Sequence, residues 1–415
     1  MQQTAANPKN NIKNSKGQGL PPALNVVALA TFSAALSGRA LDPVLPHVAD
    51  DFGITIATAA SFAAVFAFTF AVIQPLIGAA ADLFGKARLM IICLVILGIS
   101  NLVGSLATSF PLLFASRILA GIGAGGVFPV ALGLASDLVS SDKRQIGISR
   151  TLAGSMTGNL LGASFSGLIG DLAGWRGVLA ILGGLVVLAA VAVGAGFRGA
   201  QLNNPPRASF AALKHGYRTI FRNPNARVCY STVFVEGCCV LGLFPFIASF
   251  LFDLGETSLS VAGIVIAGFA IGGLFYTATV SRFLPRLGMK GMMIAGATLV
   301  GIELIATAFG PSWKLQFLCM LMMGWGFYMI HGCIQVFASE LSVEARATAL
   351  SLHSFFFFMG QTVGPIAYGF GLQHGGKAVT LCTAAACMIV LGLVCSRLLR
   401  ERRPGDAAAR PDVEA

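Results

Sequence analysis

The 415-residue chain is 56% hydrophobic and only 11% charged, with a mean hydropathy of +0.80. A soluble globular domain carries about a quarter charged residues, so the composition excludes a water-soluble fold and identifies an all-α polytopic membrane protein. Its formal charge of +11 follows from topology and anionic inner-leaflet lipid, with no nucleic-acid partner expected.

Residues 1–23 are polar, with no apolar core ahead of a small-residue cleavage site, and read as a disordered cytoplasmic tail without a cleaved signal. Stretches of about 20 apolar residues, the length needed to cross the hydrocarbon, follow. Twelve are predicted, near 24–48, 57–81, 88–107, 110–135, 147–172, 175–197, 226–252, 258–281, 291–309, 313–338, 347–371 and 378–396. They divide into bundles of six over 24–197 and 226–396, joined by a polar cytoplasmic linker at 198–225 that holds Pro205, Pro206, Arg207, Lys214, Arg218 and Arg222. Residues 397–415 form a second tail, too short for a soluble output domain. With the amino terminus inside, 23 of the 28 Lys and Arg fall on the cytoplasmic side, and only Arg176, Lys314 and Lys377 fall outside. This bias puts both termini in the cytoplasm of a cell membrane, read as the bacterial inner membrane.

A shift of 202 residues lays the chain on itself. Asp51-Phe52-Gly53 meets Asp253-Leu254-Gly255, Pro43 meets Pro245, and Gly158-Asn159-Leu160-Leu161-Gly162 meets Gly360-Gln361-Thr362-Val363-Gly364. A repeat of this length is a duplicated half, giving two pseudo-symmetric six-helix bundles. The 50 glycines suit close helix packing in a bilayer. Gly154, Gly158 and Gly162 on span five, and Gly360 and Gly364 on span eleven, mark tightly packed helices and the expected seam about which the halves rock. The nine cysteines all lie in spans with no Cys-x-x-Cys spacing, so no disulfide framework, metal site or cofactor is expected.

Between spans two and three the chain reads Gly78-Ala79-Ala80-Ala81-Asp82-Leu83-Phe84-Gly85-Lys86-Ala87-Arg88. With the two-half plan, this resembles the major facilitator superfamily over nearly the whole chain. Arg117-Ile118-Leu119-Ala120-Gly121-Ile122-Gly123 is similar to an element of its proton-coupled members, and Asp42 to Pro46 to the end of span one in bacterial efflux members. The antiporter motif of span five is met in part: Gly158 and Gly162 are present, but its proline stands only in the other half, as Pro365. The resemblance implies a secondary transporter without enzymatic activity, with Asp82, Gly85, Lys86, Arg88 and Pro365, beside the packing glycines, in gating roles.

The repeat separates scaffold from site, because an ionisable residue inside a span in only one half needs a cause other than the fold. Arg39 maps to Leu241, Asp42 to Phe244, Glu236 to Ala34, Arg117 to Cys319 and His331 to Pro129. Intramembrane charge costs roughly 3 kcal/mol on insertion scales and faces a partner or a wet cavity. Arg39 and Asp42, three apart, share a helix face, and with Arg117 form either a substrate contact or an ion pair stapling spans one and four. Of the three, Arg117 is expected to hold Asp42 and Arg39 to meet the substrate.

Glu236, with no basic residue in reach on its own helix, is the first candidate for proton exchange, followed by Asp42 and His331. His353 is expected as a neutral hydrogen-bonded ring, and Asn101 and Glu303 as peripheral packing residues. Asn159, Gln361, Trp325, Tyr328 and Phe244 complete the expected substrate contacts. The reading is a monomeric carrier that exchanges a small organic solute for protons, with proton-coupled uptake as the alternative. A membrane-embedded enzyme or sensor is less favoured: no His-Glu-x-x-His or Walker A motif is present.

Overall fold

The computed structural model describes residues 21–139, 144–197, 210–342 and 345–399, and all regular structure among them is helical. In chain order the helices are α1 (Ala23–Gly38), α2 (Leu45–Phe52), α3 (Ile56–Ala59), α4 (Ser61–Phe84), α5 (Lys86–Ser105), α6 (Phe110–Asp137) and α7 (Arg144–Gly196) in the first half. There follow α8 (Phe210–Arg222), α9 (Pro224–Cys239), a 3-10 segment (Leu241–Phe246), α10 (Ile247–Asp253), α11 (Leu259–Phe309), α12 (Trp313–Ser339) and α13 (Arg346–Leu398).

Among the described residues eight helices are long and apolar enough to cross a membrane, and α1 is a shorter apolar one. Three of the eight, α7, α11 and α13, are each two helices joined at one glycine: Gly174 (φ 67°), Gly288 (φ 63°) and Gly376 (φ 73°). Counting their arms separately is consistent with the twelve expected crossings.

The duplication is visible in the backbone. The six glycines of positive φ pair by the repeat: Gly53 with Gly255 and Gly174 with Gly376 at a shift of 202, and Gly85 with Gly288 at 203. Left-handed backbone is sterically open only to glycine among common residues, so each marks a turn that both halves need. Spans one and seven are interrupted alike. α1 stops at Gly38 and restarts at Leu45, while α9 stops at Cys239 and passes through the 3-10 segment to Ile247. The interruptions hold the mates Pro43 and Pro245, which lack the backbone donor a continuous helix requires.

Buried side chains divide unevenly along the molecule. Toward the end that carries Asp51 and Asp253, one core joins both halves, with Leu41, Val44 and Phe62 packed in the same cluster as Leu243, Phe246 and Leu251. Toward the end that carries Gly85 and Gly288 there are two separate cores. One is built around Leu24, Met90 and Leu134, the other around Ala226, Met292 and Ile334. The short α8 joins the second of these through Ile220.

The halves meet through repeat-matched contacts. A Cβ added at Gly167 would run into the Leu259 carbonyl, and one added at Gly369 would lie 2.9 Å from the Ala57 Cβ. Gly167 and Gly369 are repeat mates, as are Ala57 and Leu259.

Gly154, Gly158 and Gly162 face elsewhere than expected. A Cβ on any of them would meet carbonyl oxygens of α1, at Ala28, Phe32 and Leu36, and on Gly360 or Gly364 it would meet Phe234 and Cys238 of α9. These glycines therefore weld span five to span one and span eleven to span seven inside each half. The seam between halves runs along the other face of the same helices, through Gly167 and Gly369 and against Gly263 of α11, where small residues again let backbones approach closely.

Candidate functional site

Arg39 sits where α1 ends and its side chain turns toward the middle of the molecule. Its Nη1 donates to Asp42 Oδ2 at 3.0 Å, and its guanidinium carbon lies 4.1 Å from the centre of the Phe244 ring. Phe244 is the repeat mate of Asp42, so one cation spans the pseudo-twofold, paired with a carboxylate of its own half and stacked on the mate of that carboxylate in the other. Arg39 also interacts electrostatically with Tyr328.

The expected pairing of Asp42 with Arg117 is not found. Arg117, 3% exposed, donates to Asn101 Oδ1 at 3.0 Å and lies over the Phe66 ring at 4.7 Å, while Arg39 holds Asp42. Geometry decides it: a residue three positions away on the same helix terminus is within direct reach, whereas span four approaches Asp42 only closely enough for through-space attraction. Asn101 is therefore a buried partner and not a peripheral packing residue. The repeat held a signal, since its mate Glu303 and Cys319, the mate of Arg117, also interact.

In the second half Glu236 is fully buried, and its Oε2 lies 2.9 Å from His331 Nδ1 of α12. It has no partner on its own helix, as expected, but it is not solitary: helix packing brings in the histidine, 95 positions away. The His331 ring stacks on Phe327 at 4.8 Å and meets His353 edge-on at 5.0 Å. Glu236 Oε1 and His353 Nε2 are buried without hydrogen-bond partners, so His353 is not the satisfied ring the sequence suggests. A chain of rings links the two charged groups, from Phe244 to Phe269 (5.1 Å), Phe269 to Phe327 (5.3 Å) and Phe327 to His331 (4.8 Å). Tyr328 joins it, packed on Phe269 and Phe327.

The amide mates differ. Asn159 is exposed, one turn from Ala163 on the stripe of α7 that carries Gly167. A Cβ on Gly263 would strike the Ala163 carbonyl, which places this stripe against the other half. Gln361 lies beside Gly237 and leaves its Oε1 buried and unpartnered. Trp325 does not join the central aromatics. Its indole donates to Thr279 Oγ1 at 3.2 Å and packs edge-on against Phe275 and Phe283, on the lateral face of the second half.

Among the gating residues, Gly85 (φ 78°) forms the turn between α4 and α5, and Lys86 pairs with Asp137 at the end of α6 at 2.6 Å. Arg88 is exposed, and Pro365 is buried within α13. Asp82 lies in the last turn of α4, with its side chain outside the described residues.

Sequence reasoning missed Asp171, on the first arm of α7. Its carboxylate accepts from Leu259 N at 2.9 Å, Ser260 N at 2.7 Å and the hydroxyls of Ser258 and Ser260, capping the amino terminus of α11 across the halves. Free N–H groups at a helix start attract an anion, so the cap ties the two halves together at the shared-core end. Its repeat mate is Gln373, so Asp171, like Glu236, is an ionisable residue present in one half only.

The sequence profile of the Major Facilitator Superfamily matches residues 27–288 and 253–415. The chain is 26% identical over 290 residues to the chloramphenicol resistance protein of Streptomyces lividans, covering 68% of this chain and 71% of the relative. It is 24% identical over 383 residues to the bacillibactin exporter of Bacillus subtilis, covering 88% and 94%. Its fold matches the crystal structure of a bacterial homologue of the human lysosomal transporter Spinster, in an inward-facing and unoccupied conformation. That match has a TM-score of 0.73 at 18% identity over 95% of this chain and 97% of the other. A profile spanning the chain, a duplicated helical fold and a charged centre between the halves lead to one conclusion: this protein is a membrane transporter, not an enzyme, and belongs to the Major Facilitator Superfamily.

Proposed function

We propose that this protein exports a small organic solute in exchange for protons by alternating access, acting as a monomer in the bacterial inner membrane with both termini in the cytoplasm. The observation that carries the coupling is the buried Glu236–His331 pair, present in one half only. One proton shared by the pair leaves it neutral in either arrangement, whereas removing or adding one leaves a net charge in a dry site. Exchange is therefore confined to states in which water reaches the pair, which is the condition for coupling without leakage.

Basic residues favour the cytoplasm for the end that carries Gly85 and Gly288. On that reading the shared core and the Asp171 cap close the outside, and the separated cores open inward. The substrate meets Arg39, Phe244, Tyr328, Gln361 and Asn159, a mixed lining that suits an aromatic molecule with an anionic or hydroxyl-bearing group. Arg117 acts by positioning span four. The names of the two sequence relatives, a resistance protein and an exporter, support the outward direction.

A thermal-shift screen of aromatic organic compounds, with chloramphenicol among them, would supply the probe. Proteoliposomes with an imposed pH gradient then test the reading. Wild-type protein accumulates the probe against its gradient, and Glu236→Gln binds it but does not accumulate it. Accumulation by Glu236→Gln equal to wild type would move the coupling role elsewhere.

A further inference from the structure

On the lateral face of the second half lies a groove of about 600 Å³ between the two arms of α11 and α12. It is lined by Phe283, Leu287, Ile294, Thr298, Ile302 and Trp325. The Trp325 indole N–H is already given to Thr279, so the ring offers the groove only an apolar face. Leu287 and Ile302, 42% and 53% exposed, open it toward the surrounding lipid.

An apolar face is expected anywhere on this belt. What distinguishes the groove is its concavity together with the charge at one end. Arg282, Arg286 and Lys290 are exposed around the break at Gly288, and none forms an ion pair among the described residues. Arg286 stands three positions after Phe283 and Lys290 four before Ile294, the spacings that put each cation on the helix face of a lining residue. A lipid chain gains no hydrophobic free energy by leaving bulk bilayer for such a groove, so occupancy is decided by the head group and by shape. Arg286 and Lys290 beside the groove, with Arg282 one helical turn before Arg286, favour an anionic head group.

We propose that this groove is a selective site for an anionic phospholipid, with the phosphate at Arg282, Arg286 and Lys290 and an acyl chain along Trp325. The chain has three tryptophans, so Trp175→Phe with Trp313→Phe leaves Trp325 as the sole fluorophore. In phosphatidylcholine nanodiscs, phosphatidylglycerol brominated on its acyl chains should quench Trp325 at lower mole fraction than brominated phosphatidylcholine does. Arg286→Gln and Lys290→Gln should each weaken that preference by about fivefold, equivalent to about 1 kcal/mol per basic residue. Equal quenching by the two brominated lipids would overturn the proposal, as would a preference that survives in the triple Arg282→Gln, Arg286→Gln, Lys290→Gln protein. Should the tryptophan variants fail to fold, native mass spectrometry of the otherwise unaltered chain serves. Phosphatidylglycerol adducts should persist after delipidation in wild type and disappear in the triple variant, and adducts of equal abundance in both would reject the site.

Discussion

Asp42 answers two arginines in different ways, and substitutions should separate them. Its direct bond is to Arg39, so Asp42→Ala leaves a cation with an aromatic face but no counter-charge, costing about 3 kcal/mol of stability. A double-mutant cycle by chemical denaturation in detergent should show strong coupling between Asp42 and Arg39 and little between Asp42 and Arg117. Arg39→Lys should keep most of the stability yet lower probe affinity, because an ammonium loses the planar stack on Phe244. A coupling energy to Arg117 as large as that to Arg39 would show that the pairing described above is not the one that stabilises the protein. At the membrane surface, the Trp175 indole and then the Arg176 guanidinium bond to Asp51, holding its carboxyl below the ordinary carboxylate range. A depressed folded-state value means stabilisation that is present above the unfolded value of about 4 and is lost as pH falls through the folded one. The melting-temperature gap between wild type and Asp51→Asn should accordingly narrow as pH falls below about 4, and a gap that stays constant through acid unfolding would contradict the assignment.

Helices α7 and α13 pack in two directions, one face within their own half and the other against the opposite half. Gly360→Leu drives a side chain into the Phe234 carbonyl within the second half and should abolish folding or cost more than the 1–3 kcal/mol of ordinary overpacking. Asp171→Asn removes only the anionic cap on α11, so the protein should fold but shift toward the state open at the Asp51 end. Electron-resonance distances between spin labels near residues 55 and 256, one on each half at that end, report this as a longer population in the variant. An unchanged distribution would assign Asp171 a local role only. Asp82→Asn, by its place in the loop motif, should impair transport while leaving melting temperature largely intact, and full transport would remove it from gating.

Across the whole molecule, duplication explains what was legible. The spans, the two halves and the paired turns follow from hydropathy and glycine at repeat-matched places, because those are requirements of each half taken alone. Glu236 and Arg39 were found because they break the repeat. What stayed hidden depends on contacts between helices far apart in sequence: His331 against Glu236, Asn101 against Arg117, Asp171 against the start of α11. The glycine stripes showed which helices pack closely but not against what, since small residues suit a weld and a seam equally until the partner is known. The shared core at one end and divided cores at the other fit the alternating access proposed above, and the proposed proton coupling rests on one buried pair. Its most direct test needs no imposed pH gradient. Proteoliposomes enclosing a pH-sensitive dye and loaded with the probe identified by thermal shift are diluted into probe-free buffer. The lumen should acidify as probe leaves and protons enter in exchange, and Glu236→Gln should show no such change. A lumen that stays constant or turns alkaline in the wild-type protein would contradict the proposed exchange.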